Sequence, residues 1–394
     1  MDSTKKIGLV LPNTPSYSET FFMNKIRGLH QEGHEVILYV NNSEGSKIYL
    51  NCKVIKAPQL NGNPLVLAFN TFLQLLKLLV LNTRKSFWLY RLNKKDGIPF
   101  SQNLKQILAN QFLLSEKLDW LHFGFGTMAL GRENIATVIG AKMAVSFRGF
   151  DIGIYPIKNP DCYNLLFKKV DRIHVISNDL TDLLYKYGLA KEKNIIKITP
   201  AIDTSFFEYV EQPQNTIIKL ATIARLHWKK GLEHTLEALA QLKNEGIDFH
   251  YTIVGDGSEK ERLQFAVYQL GLTEQVTFAG KLSSEQVKEV LSTTDLYLQY
   301  SIQEGFCNAV LEAQAMGLLC VVSNAEGLSE NVIDNETGFV VEKQKPRLLY
   351  EKIKQVMDLS DDQKIRMRKH AVLRVQKEFN LEKQKQAFQD FYNL

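Results

Sequence analysis

Asp295-Leu-Tyr-Leu-Gln-Tyr-Ser-Ile-Gln-Glu-Gly-Phe-Cys-Asn-Ala-Val-Leu-Glu-Ala-Gln-Ala-Met-Gly317 is the stretch that decides the fold. Leu296, Leu298 and Tyr300 alternate with Tyr297 and Gln299, which predicts a buried strand ending near Ser301. A loop carrying Glu304 and Gly305 follows, and from Asn308 the residues are good helix formers as far as Gly317. A glycine there suits the left-handed position after a helix end. Strand, loop and helix in that order describe one unit of an open α/β sheet. Such sheets hold ligands beyond the carboxyl ends of their strands, where the next helix presents free N–H groups.

Two carboxylates frame the start of this helix, Glu304 in the loop and Glu312 about a turn inside, with Asn308 four residues before Glu312 on the same face. Were the whole span helical, eight residues at 1.5 Å each would cover roughly 12 Å, about the reach of a nucleotide sugar. An anionic diphosphate is then expected on the N–H groups of Phe306, Cys307 and Asn308, with one carboxylate on sugar hydroxyls and the other on ribose hydroxyls. For an isolated pair of glutamates, simple solvation is the competing reading.

The neighbouring residues lift the pair above that reading. Glu304-Gly305-Phe306-Cys307-Asn308-Ala309-Val310-Leu311-Glu312 resembles the Glu-x7-Glu motif of the family-4 retaining glycosyltransferases. Upstream, Arg225-Leu226-His227-Trp228-Lys229-Lys230-Gly231 is similar to that family's Arg-x4-Lys-Gly loop, which selects Lys230 over Lys229. Ile253 to Gly257, Val276 to Gly280 and Asn335 to Val340 match further segments in the same order. Departures are Cys307 where the family often has Gly, Leu319 where it often has Pro, and Ser16-Tyr17-Ser18-Glu19 where it often has paired glycines.

The resemblance implies an α/β GT-B fold, two Rossmann-like domains with mostly parallel sheets facing across a cleft. The first domain is expected over residues 1–207 on the acceptor side, a linker over 208–216, the nucleotide-sugar domain over 217–378, and a final helix, 379–394, crossing back to the first domain. It implies transfer of a hexosyl or N-acetylhexosaminyl group from a UDP- or GDP-sugar to a glycan or lipid-linked glycan, with retention of configuration. Arg225, Lys230, Glu304 and His122 are the expected catalytic residues. Gly231, Gly255, Gly257, Lys281, Leu282, Gly305, Phe306, Cys307, Asn308 and Glu312 are expected to bind the donor, the base lying near Gly280 to Leu282. Ser18, Glu19, Arg148 and Asp151 are expected on the acceptor side, Arg148-Gly149-Phe150-Asp151 being similar to the family's His-Gly-x-Asp loop. A silent nucleotide-sugar-binding partner subunit and a nucleotide-sugar epimerase are the alternatives on the same fold.

The chemistry is consistent with those residue types. A departing nucleoside diphosphate gathers negative charge, which a fixed guanidinium fork and an ammonium can stabilise. No paired-Asp loop follows a strand of the second half, and Asp361-Asp362 falls in the helical tail, so neither metal nor organic cofactor is expected. A nicotinamide or flavin site is disfavoured, because the loop after the first strand (Lys6 to Leu11) lacks Gly-x-Gly-x-x-Gly.

Length and composition agree with two soluble domains: 394 residues, 45% hydrophobic and 23% charged. A net charge of +5 from 48 basic and 43 acidic residues is too small to indicate nucleic-acid binding. The four cysteines have no metal-ligand spacing, and the apolar run from Ile7 stops at Pro12, so a cytoplasmic protein is expected. Residues 65–82 are the most apolar of the chain, with Asn70, Gln74 and Lys77 as a single polar stripe. Arg84, Lys85, Arg91, Lys94 and Lys95 follow, interleaved with Phe87, Trp88 and Tyr90. A core helix with a solvated basic segment is one reading; peripheral contact with an anionic membrane on its inner face is the other.

Overall fold

The computed structural model describes residues 4–15, 20–42, 51–59, 64–211 and 216–393. The chain divides into two compact units, Met1–Ile198 with Gln384–Leu394, and Thr199–Lys383.

In the first unit, β1 (Lys6–Asn13), β2 (Glu35–Asn42), β3 (Lys53–Lys56), β4 (Trp120–Phe123), β5 (Lys142–Phe147), β6 (Arg172–Val175) and β7 (Ile195–Lys197) form one sheet. Its order is β3-β2-β1-β4-β5-β6-β7, and every pairing is parallel. The strands are apolar on both faces, as a sheet covered on both sides requires: Ile7, Leu9, Val10 and Leu11 of β1 are all buried. Helix Thr20–Gln31 covers one face with Phe21, Phe22, Ile26 and Leu29. Phe388, Phe391 and Tyr392, from the end of the chain, join the same core. The apolar segment predicted over 65–82 is helix Pro64–Leu76 followed by a π-helical turn, Lys77–Leu81. After Asn82, helix Thr83–Lys95 leaves at 102°.

In the second unit, β8 (Ile218–Ile223), β9 (Phe249–Val254), β10 (Val276–Gly280), β11 (Leu296–Gln299), β12 (Leu319–Ser323) and β13 (Phe339–Val341) are ordered β10-β9-β8-β11-β12-β13, again all parallel. The order reverses between β8 and β11, paired through Leu296 with Leu220 and Tyr297 with Ala221. At such a reversal the loops leaving neighbouring strands diverge to opposite faces and open a crevice at the carboxyl edge. The loops after β8 and β11 are those that carry Arg225, Lys230 and Glu304. Of the stretch expected to link the domains, residues 212–215 lie outside the described residues.

Candidate active site

The loop after β8 is held in place by backbone contacts that only glycine allows. Gly231 has φ +61°, and a Cβ there would sit 2.2 Å from the carbonyl oxygen of Tyr300, just past β11. Gly255 and Gly257, after β9, pack against the carbonyl oxygens of Ala224 and Leu226, where a Cβ would come within 1.9 and 2.3 Å. The Leu226 N–H donates to the Asp256 carbonyl at 3.0 Å, and the Ile302 N–H to the Lys229 carbonyl at 2.7 Å. Gly255 and Gly257, expected to bind the donor, also shape the Arg225 loop.

That loop and the next bring Lys230 and Glu304 together. The Lys230 ammonium donates to the Glu304 carboxylate, and both side chains are mostly enclosed. Burial is the largest influence and pulls the lysine pKa down, but the Glu304 charge, Cys307 and the hydrogen bond to Glu304 together hold Lys230 above its ordinary value, against a push from Arg225. Arg225 is exposed, with no side-chain partner among the described residues. It is the guanidinium left available beside the pair.

Behind Glu304 runs a buried polar chain that sequence reading did not identify. The Tyr297 hydroxyl donates to Gln299 Oε1 at 3.0 Å, Gln299 Nε2 donates to Ser301 Oγ at 3.0 Å, and Ser301 Oγ donates to Glu304 Oε2 at 3.3 Å. Tyr297, Gln299 and Ser301 are all buried. A Gln inside a parallel strand, with polar residues two positions either side, was the available signal, because an amide is kept in a core only when it is bonded. The Glu304 N–H donates to Glu326 Oε2 at 3.1 Å, and Lys343 pairs with the other oxygen of Glu326 at 3.2 Å. Glu326 and Lys343 carried no sequence signal, since they come from the loops after β12 and β13.

Helix Asn308–Ala315 starts after Cys307, whose backbone is extended. The Cys307 N–H is already used: it donates to Asn331 Oδ1 at 3.1 Å, and Asn331 Nδ2 donates back to the Cys307 carbonyl at 2.9 Å. This corrects the expectation that Cys307 offers its N–H to a diphosphate. Burial pushes its thiol up to about 12, so it is no nucleophile at neutral pH. Phe306 is buried, its ring 5.6 Å from that of Phe379, while Gly305 is buried and Asn308 half-buried. Glu312 is half-buried with no side-chain partner among the described residues, and burial raises its carboxyl to about 7. Lys281 is exposed and Leu282 half-buried at the carboxyl end of β10, just before the Ser283–Gln286 capping box.

The first-unit residues are arranged differently from expectation. His122 is wholly enclosed in β4, so it lies in the core rather than at a surface an acceptor could reach. Its Nε2 is 2.7 Å from Ser146 Oγ, which is 2.7 Å from His174 Nδ1, and His174 Nε2 is 2.9 Å from the Ile198 carbonyl. A carbonyl can only accept, so His174 donates from Nε2, Ser146 donates to His174, and His122 donates to Ser146. The remaining His122 Nδ1 must then accept, from the Tyr392 hydroxyl at 2.5 Å and from Lys25 at 3.2 Å. Burial, reinforced by Lys25, holds both imidazoles well below their ordinary pKa. Asp151 is buried too; its carboxylate accepts from the N–H groups of Gly126, Arg148 and Gly149 at 2.9 to 3.0 Å, tying the loops after β4 and β5 together. The Arg148 guanidinium lies 3.7 Å from the Phe21 ring centre. Ser18 and Glu19 lie outside the described residues.

Known structures share this architecture over the whole chain. A crystal structure of Anabaena HepE, solved in complex with UDP and glucose, superposes with a TM-score of 0.72 at 15% identity, covering 98% of this chain and 99% of that one. The fold is GT-B. Within it, residues 205–372 match the family described as glycosyl transferases group 1. The chain is 27% identical to the putative colanic acid biosynthesis glycosyltransferase WcaL of Escherichia coli K12, covering 95% of this chain and 96% of that protein. It is 28% identical to the amylovoran biosynthesis glycosyltransferase AmsK of Erwinia amylovora, over 83% and 84% of the two. These matches liken residues 205–372 to the glycosyl transferases group 1 and the whole chain to glycosyltransferases of polysaccharide biosynthesis.

Proposed function

We propose that the protein is a retaining glycosyltransferase of polysaccharide biosynthesis that takes a hexosyl or N-acetylhexosaminyl group from a UDP- or GDP-sugar. The acceptor is a glycan or a lipid-linked glycan, and the first unit binds it. The observation that carries this reading is the Lys230–Glu304 contact at the strand-order reversal of the second unit, with Arg225 beside it. A cationic pair and a carboxylate at one carboxyl edge answer the two halves of a nucleotide sugar, a diphosphate and a set of hydroxyls.

In this reading Arg225 and Lys230 hold the diphosphate and stabilise the charge that builds on the departing phosphate oxygen as the bond to the sugar breaks. Glu304 is oriented by Ser301 and by its own backbone bond to Glu326, and accepts from sugar hydroxyls. Glu312 accepts from the ribose. Lys281 and Leu282 flank the base. The HepE complex with UDP and glucose supports a uridine donor. We place the reaction in the cytoplasm, without a metal ion, the two cations serving the diphosphate.

A thermal-shift panel of UDP-, GDP- and ADP-sugars tests the reading, because a ligand bound only by the folded state raises the melting temperature by mass action. One sugar nucleotide is expected to shift wild type and to leave the Arg225→Ala/Lys230→Ala double variant unmoved. A panel in which no sugar nucleotide shifts the wild type overturns the proposal. Release of free sugar from the bound donor by the purified protein separates an enzyme from a silent binder.

A further inference from the structure

The bent helix pair of the first unit wears its polarity inverted. Most of the side chains it buries are polar: Gln74, Asn82, Ser86 and Asn93 are buried, with Leu89 the apolar one beside them. Three of them are bonded to the segments that follow, Asn82 Nδ2 donating to Gln111 Oε1 at 3.1 Å, Gln111 Nε2 to Ser86 Oγ at 2.9 Å, and Asn93 Nδ2 to Asn103 Oδ1 at 3.0 Å. The outward side is apolar. Phe69 is 62% exposed, Leu79 64%, and Val80 and Leu81 73% each. Residues 66–104 hold more than half of the exposed large apolar side chains of the described residues. A surface helix of a soluble domain does the opposite, and a contiguous apolar face of this kind marks an interaction site.

Charge identifies the partner. Residues 64–105 contain Lys77, Arg84, Lys85, Arg91, Lys94, Lys95 and Lys105 against Asp96 alone, whereas the whole chain is nearly balanced at 48 to 43. Asp96 is itself occupied, by Lys169 at 2.9 Å and Asn134 at 2.7 Å. On helix Thr83–Lys95, Arg84, Phe87, Trp88, Arg91, Lys94 and Lys95 are all exposed and fall at i, i+3, i+4, i+7, i+10 and i+11, a single face. An apolar surface rimmed by cations and aromatic rings complements a partner that is anionic outside and hydrocarbon within.

We propose that this face docks in the plane of an anionic lipid bilayer, with Leu79, Val80 and Leu81 entering the acyl boundary and the cations of helix Thr83–Lys95 meeting the headgroups. No single helix among the described residues is long and apolar enough to cross a membrane, and the pair is bent by 102°. Gln74 is buried, and Asn70 Nδ2 donates to the Gln59 carbonyl at 2.9 Å, so the first helix stays tied to its unit by its polar edge. A second copy of the chain is a poor occupant, because a two-fold contact would set the same excess of cations against itself. The inference does not rest on the donor chemistry, and its test is read without turnover.

The test is co-sedimentation of the full chain with vesicles of phosphatidylcholine, with and without phosphatidylglycerol. Binding is expected with phosphatidylglycerol at low salt, and about tenfold weaker without it or at high salt. The Leu79→Gln/Val80→Gln/Leu81→Gln and Arg84→Glu/Arg91→Glu/Lys94→Glu variants are each expected to lower the bound fraction about tenfold with unchanged melting temperature, since all six side chains are exposed. Wild-type binding that neither variant weakens overturns the proposal. So does resistance to alkaline carbonate extraction, which would indicate a spanning segment. So does a vesicle-indifferent dimer in light scattering that the leucine and valine substitutions disperse, which would make the face an interface between copies.

Discussion

The Lys230 ammonium and the Glu304 carboxylate, 74 residues apart in the chain, meet in one ion pair at the edge where the second sheet reverses its strand order. Each neutralises the other and each leaves unsatisfied capacity, the lysine for further anionic oxygens and the carboxylate for further donors. Arg225, exposed and without a side-chain partner among the described residues, is free to add its charge without breaking that pair.

Arg225→Ala should leave the melting temperature unchanged, because nothing in the described residues depends on its guanidinium. Transfer should fall on the order of 100-fold or more in kcat, the cost of removing a preorganised charge-stabilising group. Steady-state kinetics with the donor chosen by thermal shift checks it. Turnover close to wild type would remove Arg225 from the mechanism.

Lys230→Ala should lose both activity and stability, since it strands a partly enclosed carboxylate, at a cost of about 1–3 kcal/mol. The Lys230→Ala/Glu304→Ala double variant should recover much of the stability and none of the activity. Urea denaturation of the single and double variants measures the difference. Equal stability of the two would show the pair to be incidental.

Glu312 sets a pH dependence of defined sign. Its carboxyl is raised from 4.5 to about 7 by burial, so ionising it in the folded chain is unfavourable. The penalty is absent below the unfolded pKa, grows as pH rises, and is complete above about 7. Glu312→Gln is therefore expected to raise the melting temperature at pH 8 and to leave it unchanged near pH 4, while weakening donor binding. Melting curves across that range check the sign; a stabilisation that is larger in acid would contradict it.

The histidines of the first unit act in the opposite sense. His122 and His174 are held neutral by burial and by Lys25, so protons bind the unfolded chain first and stability is lost as pH falls through the ordinary imidazole range of about 6.5. His122→Gln should flatten the fall in melting temperature between about pH 7 and 5, although the variant is less stable at pH 8. Tyr392→Phe, which removes the hydroxyl donor to His122, should cost about 0.5–1.5 kcal/mol at pH 8. A pH slope identical to wild type in His122→Gln would show that the network is not the acid-sensitive element.

Much of the second unit was legible because its strands are covered on both faces and therefore read as apolar runs between glycines. β11 ends just before Ser301, where the alternation of Leu296, Leu298 and Tyr300 put it, and Gly317 adopts its left-handed φ of +82°. β3, β6, β12 and β13 were not read as strands; they are three to five residues long. The ionic members of the site could be named, because charge next to a strand end is visible locally. Their supports could not. Asn331 at Cys307 and Glu326 at Glu304 are contacts between segments more than twenty residues apart. His122 was expected among the catalytic residues by resemblance; Lys25, Ser146 and Tyr392, which enclose it, lie far away in sequence.

The placement of Phe388, Phe391 and Tyr392 in the core of the first unit carries a consequence for biosynthesis. These side chains follow the entire second unit in the chain, so during translation the first unit waits, with its Trp120 and His122 side unfilled, until the ribosome has released everything up to and including Tyr392. The second unit runs to Lys383, immediately before these side chains, so the two units are completed almost together and the leading one gains no head start.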